Sequence, residues 1–237
     1  MFLLLIVAGG LVLYDFEGRP KATPAPTVTG PTGVATGGPG IVPTPTTVHT
    51  GTGTFAFAAA SGPVVGQGGE VETYRVAVEN GIGVDAEAFG YAVESILSDS
   101  RSWIAEGTVR LQRVPGSSPS AFVVYLASPV TSQSLCREDG LETDQYTSCR
   151  LGDNRVIINS ARWLTGITGY GAPLDVYQAY AINHEVGHQL GHGHEGCPAP
   201  GAPAPVMQQQ TYGLQGCRAN GWPMVNGAIY SGPPAEA

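Results

Sequence analysis

The sequence predicts an α/β (α+β) domain, and three observations carry that expectation. Apolar residues alternate with a period of two in several stretches, they recur at helical spacing in two others, and the two patterns are interleaved along the chain. From residue 70, Tyr74, Val76 and Val78 fall on one face of a strand and Thr73, Arg75 and Ala77 on the other. Asp85 then stands where a helix N-cap belongs, ahead of Phe89, Val93, Ile96 and Leu97 at helical spacing, and this helix ends near Ser98. Val109, Leu111 and Arg113 alternate again. Ala121–Ala127 and Arg155–Asn159 are denser apolar runs, the pattern of strands covered on both faces. A second helix starts after Gly171-Ala172-Pro173, where proline suits a first turn, and runs to about Leu190. The expected order is strand, helix, several strands and a second helix, packed as a sandwich.

Composition divides the 237 residues into three parts. Phe2–Tyr14 is an unbroken run of thirteen mainly apolar residues ended by Asp15. That is short of the about 20 helical residues that cross a bilayer, but it suits a signal-peptide apolar region of roughly 7–15. Residues 1–18 therefore read as a signal peptide or signal anchor. In residues 19–50, 24 of 32 positions are Pro, Thr, Gly or Ala, so apolar bulk is too scarce to offset ordering entropy. This stretch reads as a disordered linker, and 51–237 as the folded domain. The expected location is the cell envelope or extracellular space, with the membrane as partner if the apolar segment is not cleaved.

Eleven Lys plus Arg stand against 19 Asp plus Glu, a net charge of −8, and the excess lies wholly beyond residue 50. A nucleic-acid binder needs a basic face, so no nucleic-acid partner is expected. The four cysteines, Cys136, Cys149, Cys197 and Cys217, include no Cys-x-x-Cys pair, which argues against a zinc ribbon or a thioredoxin-like site. An even number behind an export signal favours disulfides. Of the three possible connectivities, the local pairs Cys136–Cys149 and Cys197–Cys217 are favoured because each closes a loop of modest length. Residues 195–237 carry seven Pro and seven Gly, so they should form a small loop-built lower lobe held by the second pair.

Four of the five histidines fall within His184-Glu185-Val186-Gly187-His188-Gln189-Leu190-Gly191-His192-Gly193-His194. Side chains four apart on a helix are neighbours, so His184 and His188 can present nitrogen to one cation. Gly191 accepts the left-handed conformation that ends a helix, and the turn after it can bring His194 to a third corner. Three imidazoles with a fourth position open make a catalytic rather than structural zinc geometry. Glu185 lies one helical step round, placed to take a proton from a water that zinc has acidified towards ~7. His192, between two glycines, reads as a solvent-facing or substrate-side residue rather than a fourth ligand.

This segment resembles the extended His-Glu-x-x-His-x-x-Gly-x-x-His signature of the metzincin zinc peptidases. The chain also resembles, more narrowly, an actinobacterial group of exported, lysine-poor, metzincin-like domains. The resemblance implies Zn2+ held by His184, His188 and His194, a general base at Glu185, and a methionine in a tight turn beneath the metal. Met207 is the candidate for that turn. The family fold it implies is two-lobed, with a mixed, mostly parallel twisted sheet packed by a first helix and by the zinc-binding helix. Two positions depart from the pattern. Gln209 stands where some members carry a tyrosine two residues past the methionine, Tyr212 being five residues on, and no cysteine precedes Cys136 as a latency switch. The function implied is an exported, monomeric, envelope-tethered endopeptidase acting on peptides or proteins. The motif does not separate this from a zinc amidase acting on cell-wall peptides. A non-catalytic, zinc-stabilised peptide binder is a third reading, against which Glu185 argues.

Overall fold

Alternation along the strand β2 (Glu70–Glu79) sends Tyr74, Val76 and Val78 to one side of a sheet and Ala77 to the other, and all four are buried. The structure is a computed structural model that describes residues 46–235, so the apolar segment 1–18 and most of the 19–50 linker lie outside the described residues. β2 is long enough to take neighbours on both edges. It runs parallel to β3 (Val109–Arg113) on one edge and to β4 (Phe122–Ala127) on the other, and β4 is parallel to β6 (Arg155–Asn159). Two three-residue strands close the edges antiparallel: β1 (Phe55–Phe57) on β2 and β5 (Cys149–Leu151) on β6. The sheet is thus mixed and mostly parallel, consistent with the expected α/β (α+β) domain.

The two faces have separate cores. Val76, Leu111, Val124, Leu126, Val156 and Ile158 face α1 (Ala86–Leu97) and α4 (Leu174–Gln189) in the larger one. Leu151, Ile157 and Ala127 face α2 (Pro129–Glu138) through Cys136 in the smaller one. Burial on both sides explains the dense apolar runs of β4 and β6. Asp85 caps α1 by accepting from the Ala88 amide at 2.8 Å, and Ser98 closes it.

The element order corrects the two-helix expectation. Two helices, α2 and α3 (Ser160–Thr165), precede the histidine helix, which is therefore the fourth. α2 starts with Pro129 in its first turn but buries only Pro129, Ser132 and Cys136, so it lacks an apolar stripe that spacing could reveal. α3 is six residues long and is announced only by Asn159, whose side chain accepts from the Ala161 and Arg162 amides. Pro173 sits at the N-cap of α4 rather than inside its first turn. Arg113 occupies an inward strand position with its side chain fully buried. Its Nε donates to Glu94 at 2.7 Å, and its guanidinium lies 4.5 Å from the centre of the Tyr91 ring.

Both expected disulfides are present: Cys136–Cys149 ties α2 to β5, and Cys197–Cys217 closes the C-terminal loops. They are compatible with an exported protein. No helix among the described residues is long and apolar enough to cross a membrane. Beyond α4 the chain is mainly loop, with one short hairpin of β7 (Met224–Val225) and β8 (Ala228–Ile229). Packing begins ahead of residue 51, since Val48 rests on the larger core and the His49 carbonyl accepts from the Val130 amide at 3.2 Å.

Glu79 is the buried knot of this region. Its carboxylate accepts from the Ser128 amide at 2.7 Å, the Thr131 hydroxyl at 2.6 Å and the Gly53 amide at 2.7 Å, joining β2 to the start of α2 and to the chain entering β1. Burial pushes this carboxyl up, but the hydrogen bonds outweigh burial and hold it below its ordinary value. Glu79→Ala strands three donors and should lower unfolding free energy by about 3 kcal/mol at neutral pH. With the folded value depressed, the carboxylate's contribution is full above the ordinary carboxylate range and is lost as pH falls through the folded value. Urea denaturation should therefore show the gap between wild type and Glu79→Gln shrinking in acid; a gap independent of pH would contradict this assignment.

Candidate metal centre

α4 is held on nearly every side before any histidine is considered. Asn183, next to His184, is fully buried. Its Oδ1 accepts from the Ser102 hydroxyl at 2.7 Å, its Nδ2 donates to the Gly221 carbonyl at 2.9 Å, and its own carbonyl accepts from Trp103 Nε1 at 2.7 Å. Gly187 leaves a gap in the helix surface that is filled by Met207 Sδ and the Trp103 ring, both of which a Cβ would strike. The helix stops at Leu190. The Gly191 amide donates to His188 and the His192 amide to Gly187, with Gly191 at φ 96°, so the last carbonyls are satisfied as the chain reverses.

That reversal brings His194 to the two helix histidines. The ring centroids of His184 and His188 are 4.8 Å apart, those of His188 and His194 4.5 Å, and those of His184 and His194 5.5 Å. One ligand atom from each lies within 4.8 Å of the others, and His188 Nε2 is 3.0 Å from His194 Nε2. Main-chain carbonyls set the tautomers. His184 Nδ1 lies 2.9 Å from the Val206 carbonyl and His188 Nδ1 2.8 Å from the His192 carbonyl. A carbonyl only accepts, so both Nδ1 atoms carry the proton and donate it, leaving each Nε2 unprotonated with its lone pair turned outward from that bond. Burial, reinforced for His184 by its histidine neighbours, pulls His184 down to about 3 and His188 to about 4, and burial lowers His194 as well. All three are therefore neutral near pH 7, the form that binds a cation. Tetrahedral coordination at ~2.0–2.1 Å places nitrogens ~3.3 Å apart. The three residues fit a metal ion.

The same helix turns Glu185 into a cleft of about 540 Å³. The residue is 5% exposed, its carboxylate takes no hydrogen bond from the described residues, and burial pushes it up to about 8. Met207 is in the turn Pro205–Gln208, closed by the Gln208 amide on the Pro205 carbonyl at 3.0 Å, and its side chain is buried under α4. His192 is turned away from the triad. Its ring stacks on Trp103 at 4.0 Å and its Nε2 lies 3.7 Å from Glu106. Gln209 and Tyr212 line the cleft, and the Tyr212 hydroxyl meets that of Thr147 at 2.8 Å across it. The sequence reading missed the carbonyls of Val206 and His192, which no residue type can signal. It also missed Trp103, Asn183 and Arg150, the last a cleft-lining residue next to Cys149.

A buried, unbonded acid destabilises the metal-free fold in a defined pH window. The folded value of Glu185 is raised, so its contribution is intact below the ordinary value of 4.5 and is lost as pH rises to about 8. Glu185→Gln should therefore stabilise the chelator-treated protein at pH 8 by on the order of 2 kcal/mol, with no gain at pH 4. Thermal unfolding at both pH values checks this, and an equal gain at each would refute it.

Comparison with known proteins gives one match. No curated protein and no solved structure matches the chain. Residues 41–224, which include the whole sheet, the histidine triad, Glu185 and Met207, match the family described as "Protein of unknown function (DUF3152)". The chain belongs to the DUF3152 family.

Proposed function

We propose that the chain is a zinc-dependent endopeptidase of metzincin type that works outside the cytoplasm, tethered to the cell envelope. The observation that supports it most is the pairing of three neutral imidazoles, their ligand nitrogens close together, with an unbonded carboxyl lining the same open cleft. Three nitrogen donors suit zinc and leave a coordination position open. The two disulfides support the oxidising location.

In this reading His184, His188 and His194 hold the ion, and their Nδ1–H bonds to the Val206 and His192 carbonyls keep two of the three rings from rotating. Bound zinc supplies Lewis acidity, which polarises a substrate carbonyl and acidifies water. Glu185 takes the proton from the attacking water and delivers it to the leaving amine nitrogen as the C–N bond breaks. Nothing in the described residues neutralises Glu185, so a nearby cation pulls its carboxyl back down towards the ionised, proton-accepting state. A protein that only binds peptides has no use for such an acid, which costs stability without making a contact.

The protein should carry one zinc per chain. His188→Ala should abolish zinc binding, whereas Glu185→Gln should retain zinc and lose peptide hydrolysis by ~10²–10⁴-fold. Metal analysis combined with turnover of a peptide library separates these outcomes. Equal turnover by wild type and Glu185→Gln, or zinc content unaffected by His188→Ala, would overturn the reading.

A further inference from the structure

Arg150 lines the same cleft as the three histidines and Glu185, and among the described residues it is the only cationic side chain other than histidine in that lining. It projects from the middle of the edge strand β5, between Cys149 and Leu151, both buried. Its head is held in place by neutral groups. Arg150 Nε donates to Gln189 Oε1 at 3.0 Å, and Gln189 Nε2 donates to Asn154 Oδ1 at 3.1 Å in the turn between β5 and β6. Gln189 directly follows His188, so the relay sets the guanidinium relative to the triad.

What this relay lacks is an anion. Arg101, Arg113, Arg137 and Arg155 each pair with a carboxylate, while Arg75, Arg110, Arg162 and Arg218, which bond to carbonyls or a hydroxyl, lie outside the cleft lining. Arg150 pairs with none of the described residues, and its two terminal nitrogens make no hydrogen bond to them. The other acid in the cleft lining besides Glu185 is Glu142, which is engaged by Arg137 at 3.2 Å. A guanidinium fixed through Nε alone, with its terminal N–H groups unbonded, has a donor pair available for bidentate binding of a carboxylate. The surroundings strengthen the case: a cation left unpaired beside a metal site is repelled by the ion, and an anionic ligand between them removes the repulsion.

We propose that Arg150 is a specificity residue that binds a carboxylate of the peptide substrate, so that the cleft selects peptides carrying an acidic side chain or a free C-terminus near the scissile bond. The inference rests on the reading of the cleft as a peptide-hydrolysing site, and it names the substrate class for that site. Gln189 and Asn154 are positioning residues that aim the guanidinium. The Cys136–Cys149 disulfide, one residue away, holds the strand from which Arg150 projects.

The test compares matched peptides that differ by one Glu or Gln, each with a free or an amidated C-terminus. Cleavage is measured as the kcat/KM ratio within each pair for zinc-loaded protein, and binding as the Kd ratio by calorimetry on zinc-loaded Glu185→Gln and on chelator-treated protein. Wild type should favour the carboxylate-bearing member by ~10- to 100-fold, the scale of one charge-assisted pair. Arg150→Met should bring the ratio to about one, and Arg150→Glu should invert it. Arg110→Met, which removes the same charge from β3 on the far edge of the sheet, should leave the ratio as in wild type. Preference for Glu over Gln identifies a side-chain carboxylate, and preference for the free terminus identifies a terminal one.

Peptides cut without any carboxylate preference, or with a preference that survives Arg150→Met, would overturn the subsite and leave the hydrolysis reading standing. A carboxylate preference in binding that disappears with Arg150→Met, with no peptide cut, would support the subsite and remove the hydrolysis reading. No binding and no cleavage would remove both.

Discussion

Two imidazole Nδ1–H groups bonded to main-chain carbonyls are the interaction on which the rest of the site depends. Neither carbonyl belongs to the helix that carries the rings. Val206 comes from the turn holding Met207, and His192 from the reversal that delivers His194. Each bond therefore does two things: it selects the tautomer with a free Nε2, and it ties a separate stretch of chain to α4. Without them the rings would be free to turn, and burial alone would leave three neutral imidazoles crowded together with no common direction. The low pKa values of His184 and His188 come from burial, which outweighs these bonds, since a carbonyl accepting from Nδ1–H by itself favours the charged ring.

The chain can meet these demands only because its backbone approaches closely at two glycines. At Gly187 the helix surface is bare, and Met207 and Trp103 fill the space that a side chain there would occupy. At Gly221 a loop of the C-terminal region lies against Val176, Ala179 and Tyr180, near enough for its carbonyl to accept from Asn183. A Cβ at Gly221 would strike the backbone of α4 at Val176 and Tyr180, and one at Gly187 would strike the Met207 and Trp103 side chains. The high glycine and proline content thus has a specific use after residue 190: it builds, with little regular structure, the surface against which α4 is pressed.

Legibility in the sequence followed the length and periodicity of each element. β2, α1 and α4 carry enough residues for alternation or helical spacing to stand out, β4 and β6 show as dense apolar runs, and the structure has all five where expected. β1 and β5 are three residues each, too short to show a period, and α2 buries too few apolar residues to mark a face. The ligand spacing of the three histidines was legible because a helix and a glycine stop determine it locally. The orienting carbonyls were not, because every residue has one and only the tertiary fold says which two face a ring. Arg113 shows the converse limit. Its place in the alternation marked a strand correctly, but its burial against Glu94 depends on α1 crossing that face of the sheet.

The edge strand β5 shows how the fold divides stability from function on one element. Three residues paired on one side only make a weak strand, and an edge leaves half of its backbone groups without a partner. Cys149 and Leu151 compensate by turning into the smaller core, where Cys149 is bonded to Cys136 of α2. Alternation then obliges Arg150 to point to the opposite face, towards the cleft. The disulfide and the guanidinium are consecutive along the chain because a strand offers its two faces in turn: one residue anchors the edge so that the next can be held over the site. An unpaired cation at a marginal edge would otherwise be free to swing into solvent, where hydration would satisfy it. The covalent anchor at Cys149, together with the Gln189 amide on its Nε, keeps Arg150 in the cleft with its terminal donors unfilled.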